Sequence, residues 1–171
     1  MDITTINRVK QAAERVLEGY GSSGAVVNSF EIATTEGLSV QYRKFGGEYK
    51  TVSGFYSPDD KTIFLNVGES ATRQLYTVAH ELGHYFLGHN PSEYGLYWRK
   101  SAYEGQKATN EKEADCFAAN LLMPESVVRG LVKEYPFLAH PSSINLLAMR
   151  FGVSSFAMTN RLKNLRLFKA A

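Results

Sequence analysis

The feature that most constrains this chain is His80-Glu81-Leu82-Gly83-His84, set in a segment whose apolar residues recur with a helical period. Across residues 72–87, Leu75, Val78, Ala79, Leu82 and Phe86 share one side, so the spacing predicts a helix with one buried face. Ser70 supplies a start signal and Gly88 a stop. Positions i and i+4 lie on one helical face, so the two imidazoles can converge on one ion at about 2.0–2.1 Å from each nitrogen. Glu81, rotated by about 100° on the helix, can reach a water at an open coordination position. So short a pattern also occurs in proteins that hold no metal, and a third ligand from a separate element is needed to complete the site.

A second helix, predicted over residues 110–123 and ended by Pro124, offers two carboxylates, Glu111 and Glu113. Glu111 shares a face with Asp115 and with the small residues Ala114 and Ala118, which let two helices approach closely. Glu113 has a duller role available, as the N3 residue of a capping box begun by Asn110. Helical-face geometry therefore favours Glu111 for the metal, with Asp115 orienting one histidine from behind. Three protein ligands plus water describe an open, catalytic zinc site rather than a closed structural one. The single cysteine, Cys116, excludes a cysteine-rich structural site and reads as a small buried hydrophobe. His89 can bond the last carbonyls of its helix, and His140, before Pro141, has no expected site role.

The rest of the chain is consistent with a mixed α and β domain. Ile6, Val9, Ala13 and Val16 mark a helix near the start, and Gly19, Gly21 and Gly24 break it. Residues 38–45, 52–56 and 62–66 read as short strands, the last two forming a hairpin across Ser57-Pro58-Asp59-Asp60-Lys61. Residues 90–108 look irregular and tyrosine-rich, and two short helices flank Phe151-Gly152-Val153-Ser154. The division expected is a main domain over 1–135 and a small helical extension over 136–171 packed on it. With 171 residues, 44% of them hydrophobic and 21% charged, the chain can bury a real core. A net charge of +2 gives no nucleic-acid footprint. No apolar run approaches the roughly 20 residues that span a bilayer, and residues 1–6 do not form a signal peptide. Together with the lack of disulfides, this predicts a cytoplasmic protein.

These residues resemble the ImmA/IrrE-type metallopeptidases. The similar pieces are Val52-Ser53-Gly54-Phe55-Tyr56, the strand over 62–66, the run from Thr77 to His89, the run from Glu111 to Pro124, and Phe151-Gly152-Val153-Ser154 with Arg161-Leu162. The resemblance implies an α+β, zincin-like fold, a short sheet packed on the His-Glu-Leu-Gly-His helix and on a glutamate-bearing second helix, with the third ligand at Glu111. It also implies a protein substrate, a helix-turn-helix repressor, whose cleavage frees phage, mobile-element or stress-response genes. Longer relatives carry further domains, and this chain looks like little more than the catalytic unit.

The expected activity is therefore zinc-dependent peptide hydrolysis by water attack, with Glu81 passing the water proton to the leaving amine. Tyr94, Tyr97 and Tyr103 are candidate donors to the developing oxyanion. The strand over 62–66 reads either as an edge that pairs with an extended substrate or as an ordinary internal strand. The alternative reading is a regulatory module that holds zinc and binds DNA or a repressor without proteolysis. Residues 143–166 look like a helix-turn-helix, and Arg150, Arg161, Lys163 and Arg166 supply positive charge there, but the near-balanced total charge argues against direct nucleic-acid binding.

Overall fold

A computed structural model describes residues 1–20, 26–89 and 105–168. The helix α1 covers Ile3–Gly19, and Asp2 caps it by accepting from the Thr5 N–H. Its buried stripe is Val9, Ala12, Ala13, Val16 and Leu17. A second helix, α2, spans Ser29–Thr35 and is capped by Asn28. The sequence did not predict it, because seven residues carry less than two full turns of periodicity.

Three strands follow: β1 over Ser39–Arg43, β2 over Gly54–Ser57 and β3 over Thr62–Asn66. The sheet order is β1-β3-β2, with β1 parallel to β3 and β2 antiparallel to it. β2 and β3 form the predicted hairpin, whose turn ends on Lys61 in a left-handed conformation. The strand that could have been a substrate-pairing edge is the central one: Thr62–Asn66 is paired on both sides. Its Ile63 and Leu65 are fully buried, so the internal reading holds and the edges are β1 and β2.

Helix α3, Ala71–Phe86, begins at Ser70, whose side chain accepts from the Arg73 N–H, and gives way to Gly88 at φ 67. Helix α4 runs over Gly105–Leu122, starting earlier than the sequence predicts. Asn110 lies inside this helix and is buried, so the expected capping box with Glu113 does not exist. Pro124 then caps α5, Glu125–Glu134, and short helices α6, Ile144–Arg150, and α7, Ser155–Asn164, complete the chain. The sheet packs on α3, and α1 and α3 both pack on α4. Leu147, Met158 and Leu162 from the last two helices join the same buried cluster as Leu82 and Phe117. The fold is α+β and zincin-like, as expected. Among the described residues no helix is long and apolar enough to cross a membrane.

Candidate metal centre

The centre lies on a close contact between α3 and α4. Gly83 makes that approach possible: a Cβ there would stand 3.0 Å from the Ala114 Cα and 3.1 Å from its carbonyl oxygen. Any side chain would push the helices apart. The small-residue face predicted for α4 thus meets a glycine inside the His-Glu-Leu-Gly-His run itself, and Ala114 and Ala118 are fully buried.

On this contact, His80 and His84 bring their Nε2 atoms to 3.2 Å from each other. Glu111 reaches across from α4, with Oε2 3.3 Å from His80 Nε2 and Oε1 3.5 Å from His84 Nε2. Among the described residues these three form a group whose ligand atoms all lie within 4.8 Å of one another. Ligands held tetrahedrally at 2.0–2.1 Å from zinc are separated by about 3.3–3.4 Å; the two imidazole nitrogens stand close to that spacing, and Glu111 turns a different carboxylate oxygen to each.

The hydrogen-bonding pattern says which atoms are left for a metal. His80 Nδ1 is 3.0 Å from Asp115 Oδ1, an acceptor, so Nδ1 carries the hydrogen and Nε2 presents a lone pair. His84 Nδ1 is 3.0 Å from His89 Nδ1, and His89 Nε2 is 3.3 Å from Glu113 Oε2. A carboxylate at the far end makes His89 Nε2 the donor, so His89 Nδ1 accepts from His84 and frees His84 Nε2. Glu111 Oε1 is buried and makes no hydrogen bond among the described residues. Two lone pairs and a carboxylate therefore face one point, an arrangement that repels itself unless a cation or proton is placed there.

Titration follows from this. In the metal-free protein, burial disfavours charge on His80, but its hydrogen bonds to Asp115 and Glu111 outweigh that and push it up to about 9. Burial pushes His84 down to about 4, with the neighbouring His80 charge acting in the same direction. Burial alone would raise Glu111, yet its two histidine neighbours hold it down to about 2. One proton serves the pair of imidazoles, where a divalent cation would serve all three ligands.

Glu81 is buried, and its Oε2 accepts from the Tyr56 backbone N–H at 3.0 Å. That bond ties the α3 carboxylate to strand β2. The strand can come so near because Gly54 lacks a side chain: a Cβ there would lie 2.7 Å from Thr77 Cγ2 and 2.6 Å from the Phe64 oxygen. The structure thus gathers His80, His84, Glu111 and Asp115 at one place, with Glu81 on the same helix.

Sequence reasoning missed His89 and misplaced Glu113. The positive φ at Gly88 turns the chain back, so the His89 ring lies against His84 instead of bonding helix carbonyls; only its backbone N–H does so, to the His84 oxygen at 3.0 Å. Glu113, given to a helix cap from sequence, accepts from both His89 and the Arg8 guanidinium of α1. A histidine one residue past a C-terminal glycine, opposite an unassigned glutamate, was the available signal. Tyr94, Tyr97 and Tyr103 lie outside the described residues. Cys116 is half-buried and its thiol is pushed up by burial. His140 bonds Ser142 within its own turn. At the helix-turn-helix-like end, Arg161 is buried and donates to the Met123 carbonyl, while Leu146, Met149 and Phe156 are exposed. The outer face of α6 and α7 is more apolar than the sequence reading assumed.

The sequence and the fold both have counterparts among known proteins. Residues 33–163 match the family described as the IrrE N-terminal-like domain. The radiation response metalloprotease IrrE of Deinococcus radiodurans is 28% identical over 107 residues, covering 61% of this chain and 30% of that protein. The metallopeptidase ImmA of Bacillus subtilis is 23% identical over 168 residues, 97% of this chain and 90% of that one. A Mycobacterium tuberculosis transcriptional regulator shares the fold with a TM-score of 0.67 at 18% identity, over 92% of this chain and 46% of its own. The chain thus spans less than a third of the Deinococcus protein and under half of the mycobacterial one.

Proposed function

The chain belongs to the IrrE N-terminal-like family, and on that premise we propose that it is a zinc-dependent endopeptidase of the cytoplasm whose substrate is a helix-turn-helix repressor. His80, His84 and Glu111 hold the metal, Glu81 is the general base, and Asp115 orients His80. Residues 1–135 form the catalytic unit and 136–171 a helical extension of it. The observation that supports this most is the convergence of two imidazoles and a carboxylate whose ligand atoms lie within 4.8 Å of one another, with Glu111 Oε1 buried and lacking a hydrogen bond among the described residues.

Bound zinc would polarise the scissile carbonyl and bring the acidity of the attacking water towards neutrality. Glu81 takes the water proton on its carboxylate and returns it to the leaving amine. The Tyr56 N–H fixes the rotamer of that carboxylate, so the base does not have to reorient between the two transfers. Asp115 and His89 hold the Nδ1 hydrogens of the two histidines, which keeps both Nε2 atoms as ligands. Burial of His80, Glu81 and His84 keeps competing water from the Glu81 carboxylate. The names of two relatives, a metalloprotease and a metallopeptidase, support a protein substrate, and the repressor class is carried over from the family resemblance alone.

Native mass spectrometry of the wild type beside Glu111→Ala tests the metal. One zinc per wild-type chain and none in the variant is expected; a wild type that stays metal-free in added zinc refutes the assignment. Co-expression with a candidate repressor then tests catalysis. Glu81→Gln should retain zinc and leave the repressor intact, and continued cleavage would remove Glu81 from its role.

A further inference from the structure

A groove of about 980 Å³ opens between α1, the start of α3, α4 and α7. Its volume lies at the upper end of the roughly 300–1,000 Å³ typical of small-molecule sites. None of His80, His84 and Glu111 lines it, although Asp115, which bonds His80 from behind, stands on its wall.

The groove contains a buried charge whose described contacts do not balance it. Arg161 is 7% exposed, yet no carboxylate among the described residues lies within 4 Å of its guanidinium. Its Nε donates to the Met123 carbonyl and its Nη2 to the Asn120 side-chain oxygen, both neutral acceptors. Those two bonds close the end of α4, and they use two of five N–H groups. The nearby carboxylate, Glu125, is already claimed by Lys10 at 2.6 Å and Arg129 at 2.6 Å. A buried cation with neutral partners is costly to maintain, and an anion arriving through the groove would offset that cost.

The lining narrows the kind of anion. Among the lining side chains, Lys10, Arg73, Lys112 and Arg161 face three carboxylates, Glu69, Asp115 and Glu125, which leaves one net positive charge. That balance suits a monoanion better than a di- or triphosphate. The remaining wall is apolar, with Ile6, Ala119, Met123, Ala157 and Phe156. Phe156 is 76% exposed, a large ring left to solvent at the rim. On α7, Ala157, Arg161 and Asn164 fall on one face at spacings of four and three, so they form a continuous strip along the groove.

We propose that this groove is a binding site for a monocarboxylate on an apolar stem, with the carboxylate on the Arg161 guanidinium and the stem against Ala157, Met123 and Phe156. The ligand is either a free organic acid or the C-terminus of an apolar peptide, which share that chemistry. The site does not depend on the proteolytic reading of the metal centre.

Isothermal titration calorimetry of the full chain with octanoate and with octanamide is the test. Octanoate should bind one per chain, and octanamide at least tenfold more weakly. Substituting Arg161 itself would disturb the α4 end, so the variants are made beside it. Asn164→Asp places a carboxylate on the same face and should weaken octanoate at least tenfold, and Ala157→Phe should do so by filling the stem site. A leucine-terminated tetrapeptide that binds more tightly than octanoate, and loses this on amidation, would assign the carboxylate to a peptide terminus and also uphold the site. Equal binding of acid and amide, wild-type binding by both variants, or no binding of octanoate or peptide would overturn the proposal.

Discussion

The two histidines of the candidate centre are neighbours on one helix, but they are supported in different ways. His80 leans on Asp115, a single residue of α4 whose side chain is 46% exposed. The Tyr76 hydroxyl lies 3.5 Å from the same carboxylate oxygen, too long to add much. His84 leans on a chain of three groups, His89, Glu113 and Arg8, drawn from the end of α3, from α4 and from α1. The Glu113 side chain is only 7% exposed. A solvated partner can be replaced by water at little cost. A buried one cannot, because its loss leaves donors and acceptors stranded in a low-dielectric interior. The His84 support should therefore matter more for both metal affinity and stability.

Breaking that buried support should have the largest effect. His89→Ala is expected to weaken zinc about 100-fold, at the upper end for an outer-shell group, and to lower stability by about 1–3 kcal/mol through loss of the buried link between His84 and Glu113. Chelator competition and thermal melting measure the two losses. An affinity within twofold of wild type would mean that the chain behind His84 does not orient it. Gly83→Ala tests the helix contact that both supports share. Its Cβ would press on Ala114 backbone atoms at 3.0 and 3.1 Å, and the strain should cost about 1–3 kcal/mol of stability. It should also move Glu111 away from both histidines, so zinc affinity falls together with melting temperature. Melting unchanged from wild type would show that α4 can yield.

The exposed support gives a smaller change. Asp115→Asn keeps the shape and removes the charge, and about tenfold weaker zinc with melting nearly unchanged is expected. If this variant loses more zinc than His89→Ala, the ranking of the two supports is reversed. The smallest effect is a control away from both. Lys10 and Arg129 hold the Glu125 carboxyl down to about 2, from an ordinary 4.5. A depressed carboxyl stabilises the fold above its unfolded value, and that contribution is lost as pH falls from about 4.5 towards 2. The pair is partly solvated, so the loss should be under about 1 kcal/mol, and Glu125→Gln should flatten that part of the stability–pH curve. A variant curve that still falls as steeply would assign the acid sensitivity to other groups.

What was legible in the sequence was local. The period of Leu75, Val78, Ala79, Leu82 and Phe86, the Ser70 cap and the Gly88 stop defined α3, and the i, i+4 spacing placed His80 and His84 on one face. A helical face likewise set Glu111 and Asp115 apart from Glu113 before any distance was known. The hairpin was readable because its turn residues are specific about backbone angles. These inferences need only neighbours a few residues away, where chain geometry is nearly fixed. The early start of α4 escaped, because propensity changes gradually where a helix begins. The position of β3 inside the sheet, the return of His89 onto His84, the reach of Arg8 from α1 to Glu113 and the buried Arg161 were decided by tertiary packing alone. Each joins segments far apart in the chain, and their pairing depends on which surfaces compete for burial, a property of the whole fold and not of any window of sequence.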